Sequence, residues 1–179
     1  MWKTKIQSPV GELRAFASDD GLRGLMWPES DVTRFAVDAE FVEPRNQPIF
    51  EKLASQLSEY FAGTRRQFDL PLDPVGTEFQ CLAWNALRKI PFGKTRSYAE
   101  QAAIIGRPNA VRAVGAANGR NPISIVIPCH RVIGADGSLT GFAGGIDMKR
   151  FLLEHESSRT SQLRCSAEPL SSSACPSRR

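Results

Sequence analysis

The chain has 179 residues, 41% hydrophobic and 23% charged, with a formal net charge of +4, which suits a soluble globular protein of one domain or two small ones. Nowhere do 18 apolar residues run together and Met1 to Ile6 hold no signal core, so no membrane association and a cytoplasmic setting are expected. Four cysteines without CxxC spacing and only two histidines argue against a zinc site and a disulfide scaffold, so no metal is expected.

Residues 1 to 27 read as an antiparallel meander: strands over Lys3 to Gln7, Leu13 to Ser18 and Leu22 to Trp27, with turns at Ser8-Pro9-Val10-Gly11 and Asp19-Asp20-Gly21. A polar stretch follows to Pro48. Ile49, Leu53, Leu57, Tyr60 and Phe61 then recur at helical spacing, and Gly63 stops the helix. Pro71 to Gly76 serves as a linker. Thr77-Glu78-Phe79-Gln80 is a capping box opening a helix to about Ile90, within which Cys81 reads as filler. After Pro91-Phe92-Gly93, a second capping box at Ser97-Tyr98-Ala99-Glu100 opens a short helix to Gly106, and Pro108 starts another that ends near Gly119. Two short helices joined by a tight turn are a helix-turn-helix candidate. The apolar run Ile123 to Ile127 reads as a buried strand, with a turn at Gly134-Ala135-Asp136-Gly137 beyond it, and Asp147 caps a last helix through Phe151, Leu152 and His155. Residues 157 to 179 carry eight serines and few large apolar groups. They are expected to form a disordered tail holding Cys165 and Cys175.

The fold class is therefore α+β: a small antiparallel sheet with a helix over residues 1–73, then a mostly helical, winged-helix-like unit over 74–156. Charge divides unevenly between them. Residues 1–72 carry 9 basic and 11 acidic side chains, and residues 73–156 carry 10 and 7. So modest an excess permits a nucleic-acid partner without requiring one. Chemistry concentrates at Ile127-Pro128-Cys129-His130-Arg131-Val132. Cysteine attacks as thiolate, and a site built for that needs a base or cation within reach. His130 and Arg131 supply both.

Arg112-Ala113-Val114-Gly115-Ala116-Ala117-Asn118, Asn121-Pro122-Ile123, Ile127 to Val132 and Gly141-Phe142-Ala143-Gly144-Gly145 together resemble the O6-alkylguanine-DNA alkyltransferases, also called methylated-DNA–protein-cysteine methyltransferases. The resemblance is strong over about residues 74 to 156 and loose in pattern before that. It implies that Cys129 accepts an alkyl group from an alkylated guanine, once and irreversibly, so the protein is consumed. His130 would take the thiol proton through a water and Glu156 would hold the imidazole. Tyr98 would donate to guanine N3. The carbonyls of Cys129 and Val132 would read the exocyclic amine, and the amide of Ala143 would meet O6, with Phe142 walling the pocket where the family usually has tyrosine. Asn121 would act as a hinge. Double-stranded DNA would be met through its minor groove, with Arg112 entering the stack in place of the flipped base, the small Ala110, Ala113 and Ala117 allowing close approach, and Arg131 nearby. A monomer that needs no cofactor is implied, with the damaged DNA itself as donor. The alternatives are a lesion-binding module, a helix-turn-helix regulator and a Cys-His hydrolase. Cys129 speaks against the first. The scarcity of long polar readers on the helix speaks against the second, and peptide-ester turnover would reveal the third.

Overall fold

In the computed structural model, which describes residues 1–31 and 40–165, the meander forms as expected. Strands β1 (Trp2–Ser8), β2 (Gly11–Ala17) and β3 (Leu22–Met26) are antiparallel neighbours. The register sets Ile6 opposite Leu13 and Thr4 opposite Ala15, putting alternate residues on one buried face. Gly11 closes the first turn at φ +94°, a left-handed conformation that glycine adopts without steric cost. A two-residue strand, β4 (Glu40–Phe41), pairs parallel to β1 and completes the order β3-β2-β1-β4.

Helix α1 (Pro48–Ala62) buries Phe50, Leu53, Leu57 and Tyr60, and ends at Gly63 with φ +81°. Buried Gln56 grips the returning chain, its side chain donating to Asp69 O at 2.9 Å and accepting from Asp69 N at 2.8 Å. The chain then lies along the free edge of β3. Leu22 N donates to Pro71 O and Asp73 N to Leu22 O, both at 2.8 Å. Further along that edge Leu25 N donates to Pro122 O and Ser124 N to Leu25 O, also at 2.8 Å, so the two halves of the chain share backbone hydrogen bonds as well as one apolar core.

Helix α2 (Glu78–Arg88) opens with the Thr77–Gln80 capping box, and α3 (Tyr98–Ile104) with the Ser97–Glu100 box. Helix α4 spans Val111–Gly119, starting later than Pro108 because Pro108 and Asn109 lie in a turn closed by Ala110 N donating to Arg107 O at 2.9 Å. The helix-turn-helix pair is locked by two buried amides: Gln101 Nε2 donates to Asn118 Oδ1 at 3.1 Å and Asn118 Nδ2 to Gln101 Oε1 at 2.7 Å. Such a reciprocal pair satisfies polar groups that would be costly if left bare. Strands β5 (Arg96–Ser97) and β6 (Val132–Ile133) form a small parallel ladder.

Two expectations are corrected. Ile123 to Ile127 is a buried turn with one isolated bridge, Leu25 to Ile123, in place of a strand. Ile127 N reaches back to Ile123 O at 2.9 Å, and Ile125 sits at φ +69°, a conformation a β-branched residue keeps only when its surroundings compel it. Residues 157 to 165, expected within the tail, are helical. Helix α5 runs Ile146–Cys165, since no proline or glycine interrupts it before Pro169; the remainder of the expected tail, with Cys175, lies outside the described residues. No helix among them is long and apolar enough to cross a membrane.

Candidate active site

Pro128 ends the buried turn, and Cys129–Arg131 form one turn of 3-10 helix whose three residues are all buried. Cys129 keeps 9% of its surface exposed. Its Sγ accepts a hydrogen bond from Asn121 Nδ2 at 3.2 Å, the same nitrogen donating to Ile127 O at 2.7 Å, while Asn121 Oδ1 accepts from Ile123 N at 3.1 Å. Asn121 thus ties the end of α4 to the nucleophile's turn. Burial pushes the Cys129 thiol above its usual range, with Asn121 and the positive charge of Lys149 pulling the other way. A thiol held protonated at rest needs a base to become nucleophilic.

An imidazole is adjacent. His130 is fully buried, its Nε2 lying 2.8 Å from Glu156 Oε1. Burial lowers the imidazole pKa despite the opposing pull of Glu156, so the ring is neutral near pH 7. Glu156 is 1% exposed. Burial alone would raise its pKa, yet His130 and Arg131 hold it down to about 2. An ionised carboxylate only accepts, so the imidazole proton resides on Nε2 and Nδ1 carries the lone pair. His130 Nδ1 is buried without a hydrogen-bond partner, a basic nitrogen held next in sequence to the thiol.

Arg131 must leave the set of residues expected at DNA. Its guanidinium is buried on Glu156, Nε to Oε2 at 2.9 Å and Nη2 to Oε1 at 2.9 Å, with Nη1 donating to Ile90 O at 2.6 Å. A carboxylate on α5 outcompetes solvent for a cation placed inside the core. Gly93 N and Tyr60 Oη also donate to Glu156, at 2.9 and 2.8 Å.

A cavity of about 550 Å³ opens between α4 and the 140–143 loop, lined by Tyr98, Val111, Gly115, Gly119, Thr140, Gly141, Phe142 and Ala143. Tyr98, Phe142 and Ala143 come together here, whereas Val132 is fully buried and its N–H bonds Cys129 O. The Tyr98 hydroxyl donates to Thr140 O at 3.2 Å. Phe142 meets Trp27 edge-on at 5.8 Å between ring centroids. A side chain at Gly144 would strike the Trp27 indole at 2.6 Å, so only glycine lets this loop close against Trp27.

Sequence reasoning passed over Lys149, whose helical spacing reads as a solvated face. It is fully buried, its Nζ donating to Thr140 O at 2.8 Å and lying 5.7 Å from the centre of the Tyr98 ring. On α4, Arg112 and Ala113 are exposed and Ala110 is half-buried. Ala117 faces inward instead, 3% exposed, with its carbonyl accepting from Trp84 Nε1 at 2.9 Å. It is corrected from the DNA-facing set to the helix-packing interior.

Residues 1–74 match the family model described as 6-O-methylguanine DNA methyltransferase, ribonuclease-like domain, and residues 78–158 match that of the same family's DNA binding domain. A methylated-DNA–protein-cysteine methyltransferase of Methanosarcina barkeri is 48% identical over 156 residues, covering 87% of this chain and 97% of its own. The constitutive one of Bacillus subtilis is 44% identical over 154 residues, covering 86% and 93%. The crystal structure of Mycobacterium tuberculosis OGT in complex with DNA superposes with a TM-score of 0.81 at 46% identity, over 89% of this chain and 94% of that one. With both halves matched by models of one family, and relatives at this identity matched over nearly their full length, the chain belongs to the 6-O-methylguanine DNA methyltransferase family.

Proposed function

We propose that this protein repairs O6-alkylguanine in DNA by moving the alkyl group irreversibly onto Cys129, as a methylated-DNA–protein-cysteine methyltransferase. The observation that carries this is a buried thiol next to a neutral imidazole whose outer nitrogen is anchored by a carboxylate and whose inner nitrogen is free to accept. The thiol proton passes through a water to His130 Nδ1. Sγ then attacks the alkyl carbon in line, and the carbon–O6 bond breaks with its electron pair going to the guanine. Sulfur suits displacement at carbon, and the thioether formed is not readily hydrolysed, so each molecule acts once.

Tyr98 exchanges Thr140 for guanine N3 as charge develops on the ring, and the amide of Ala143 meets O6. The base reaches the cavity only by leaving the duplex, at a cost of a few kcal/mol. Labour divides near residue 73: the second unit carries the chemistry and the DNA contact through the minor groove, with Arg112 filling the gap and Ala110 and Ala113 allowing approach. Asn121 couples that helix to the thiol, a monomer suffices, and the setting is the cytoplasm. The test is a duplex carrying one labelled O6-methylguanine. One methyl per molecule on the peptide holding Cys129, with guanine restored, is the expected result; tight binding of the lesion without transfer would refute it.

A second assay isolates the flipping step. Arg112→Ala is expected to slow repair of duplex lesions roughly 10- to 100-fold, in line with a flipping cost of a few kcal/mol, while reaction with free O6-benzylguanine stays close to wild type. Equal losses with both substrates would remove Arg112 from that role.

A further inference from the structure

Tyr60 belongs to α1, in the half of the chain that carries none of the proposed reacting groups, and it is fully buried. Phenylalanine would fill such a position as well, and a phenol there is costly unless its hydroxyl is paired. Its partner is the key carboxylate. Tyr60 Oη donates to Glu156 Oε1 at 2.8 Å, the same oxygen that lies 2.8 Å from His130 Nε2. The preceding residue on α5 holds the other end of Tyr60, with His155 Nε2 2.9 Å from the Tyr60 carbonyl. The ring is wedged between Phe61, Phe68, Phe92 and His155, at centroid distances of 5.1, 5.5, 5.9 and 5.2 Å. Both ends and both sides of this residue are therefore fixed, and its hydroxyl points at one oxygen.

We propose that Tyr60 is a positioning residue through which the N-terminal unit orients Glu156 and tempers the basicity of His130. The inference rests on the Cys129–His130–Glu156 relay described under the proposed function. A neutral donor on Oε1 draws charge from the carboxylate without adding a positive charge of its own. Its loss would leave Glu156 a stronger acceptor for the imidazole proton and would stabilise the imidazolium. His130 would then be protonated, and useless as a base, up to higher pH. The other charged or titratable groups facing the imidazole are Arg131, beside Glu156, Lys149 from α5, and Cys129, and none of them is altered by a change at position 60. The phenol itself stays protonated throughout, because burial and the Glu156 charge push its pKa far up.

The test uses the full chain and free O6-benzylguanine, following the rate of self-alkylation across pH, so that DNA binding does not enter. Tyr60→Phe is expected to move the acid limb of the profile to higher pH and to lower the rate on that limb roughly three- to tenfold, the reach of one ordinary hydrogen bond. Installing 3-fluorotyrosine at position 60, a stronger donor of nearly the same shape, is expected to move the limb the opposite way; this arm decides the matter if the phenylalanine variant does not fold. Glu156→Gln serves as the reference. If it slows alkylation while neither change at position 60 moves the limb, or if Tyr60→Phe lowers the rate equally at all pH values, the role of Tyr60 is overturned and the relay stands. If Glu156→Gln leaves the rate unchanged, the relay itself falls.

Discussion

Cys129→Ala is expected to abolish alkyl transfer completely while leaving lesion binding within about threefold of wild type, about the effect of half a kcal/mol. No other thiol can substitute among the described residues whose side chains are placed. Cys81 is the remaining one, and its Sγ faces Gly76 O at 3.8 Å on the first turn of α2. The framework around position 129 depends little on sulfur. Asn121 keeps its bond to Ile127 O at 2.7 Å and its acceptor role toward Ile123 N, and the 3-10 turn is closed by backbone atoms, so the cavity wall survives. The cost to folding should be about 1 kcal/mol, ordinary for a small buried truncation. Gel-shift titration with a lesion-bearing duplex, beside mass spectrometry of the protein, separates the two effects. Residual methylation of the alanine variant, or loss of binding in parallel with transfer, would contradict the assignment of Cys129 as acceptor.

Arg131→Ala should be the most destabilising single change at the site, costing about 3–5 kcal/mol because it strands a buried carboxylate. In a chain of this size that corresponds to a fall in melting temperature of roughly 6–20 °C. Glu156 would retain Tyr60, His130 and Gly93 as donors but lose its cation, and Ile90 O would lose its 2.6 Å partner. The pH dependence has a definite sign. The folded-state pKa of Glu156, about 2, lies below the ordinary 4.5, so the unfolded chain binds the proton more readily. The stabilisation is complete above about pH 5 and is lost as pH falls toward 2. Removing Arg131 lets the pKa rise, so the stability gap between wild type and variant should be largest near neutrality and narrow on acidification. Denaturant titrations at pH 7 and pH 3 measure both gaps; a gap that stays constant or widens at pH 3 would show that Arg131 acts by packing alone.

Local chemistry made most elements legible in advance. Both capping boxes, the Gly63 stop and the meander's alternation are interactions among residues a few positions apart, which sequence spacing records directly. Non-local pairings were invisible. Strands β4, β5 and β6 have two residues each, too few for any periodicity. Ile123 to Ile127 misled because β-branched residues favour strands, yet this segment turns back on itself inside the core with Ile125 left-handed. For the site, the cysteine-histidine motif marked the place, but the fate of each charge depended on partners remote in sequence. Arg131 and Lys149 look like ordinary surface cations. One is buried by Glu156, 25 residues away, and the other by the Thr140 carbonyl and the Tyr98 ring. Tyr60 was legible as core, and the acceptor of its hydroxyl, 96 residues on, was not.

The bonds between β3 and the 122–124 segment also impose an order on biosynthesis. Leu25 leaves the ribosome roughly 100 residues before Pro122 and Ser124, which satisfy its N–H and C=O. At typical translation speeds of about 5–20 residues per second, the β3 edge waits roughly 5–20 s for its partner. Pro71 and Asp73 cover the Leu22 end of that edge earlier, but throughout the interval its Leu25 end stays unpaired, the kind of surface that recruits other strands. The stretch that positions the thiol is therefore also the one whose arrival ends the chain's exposure to misassembly.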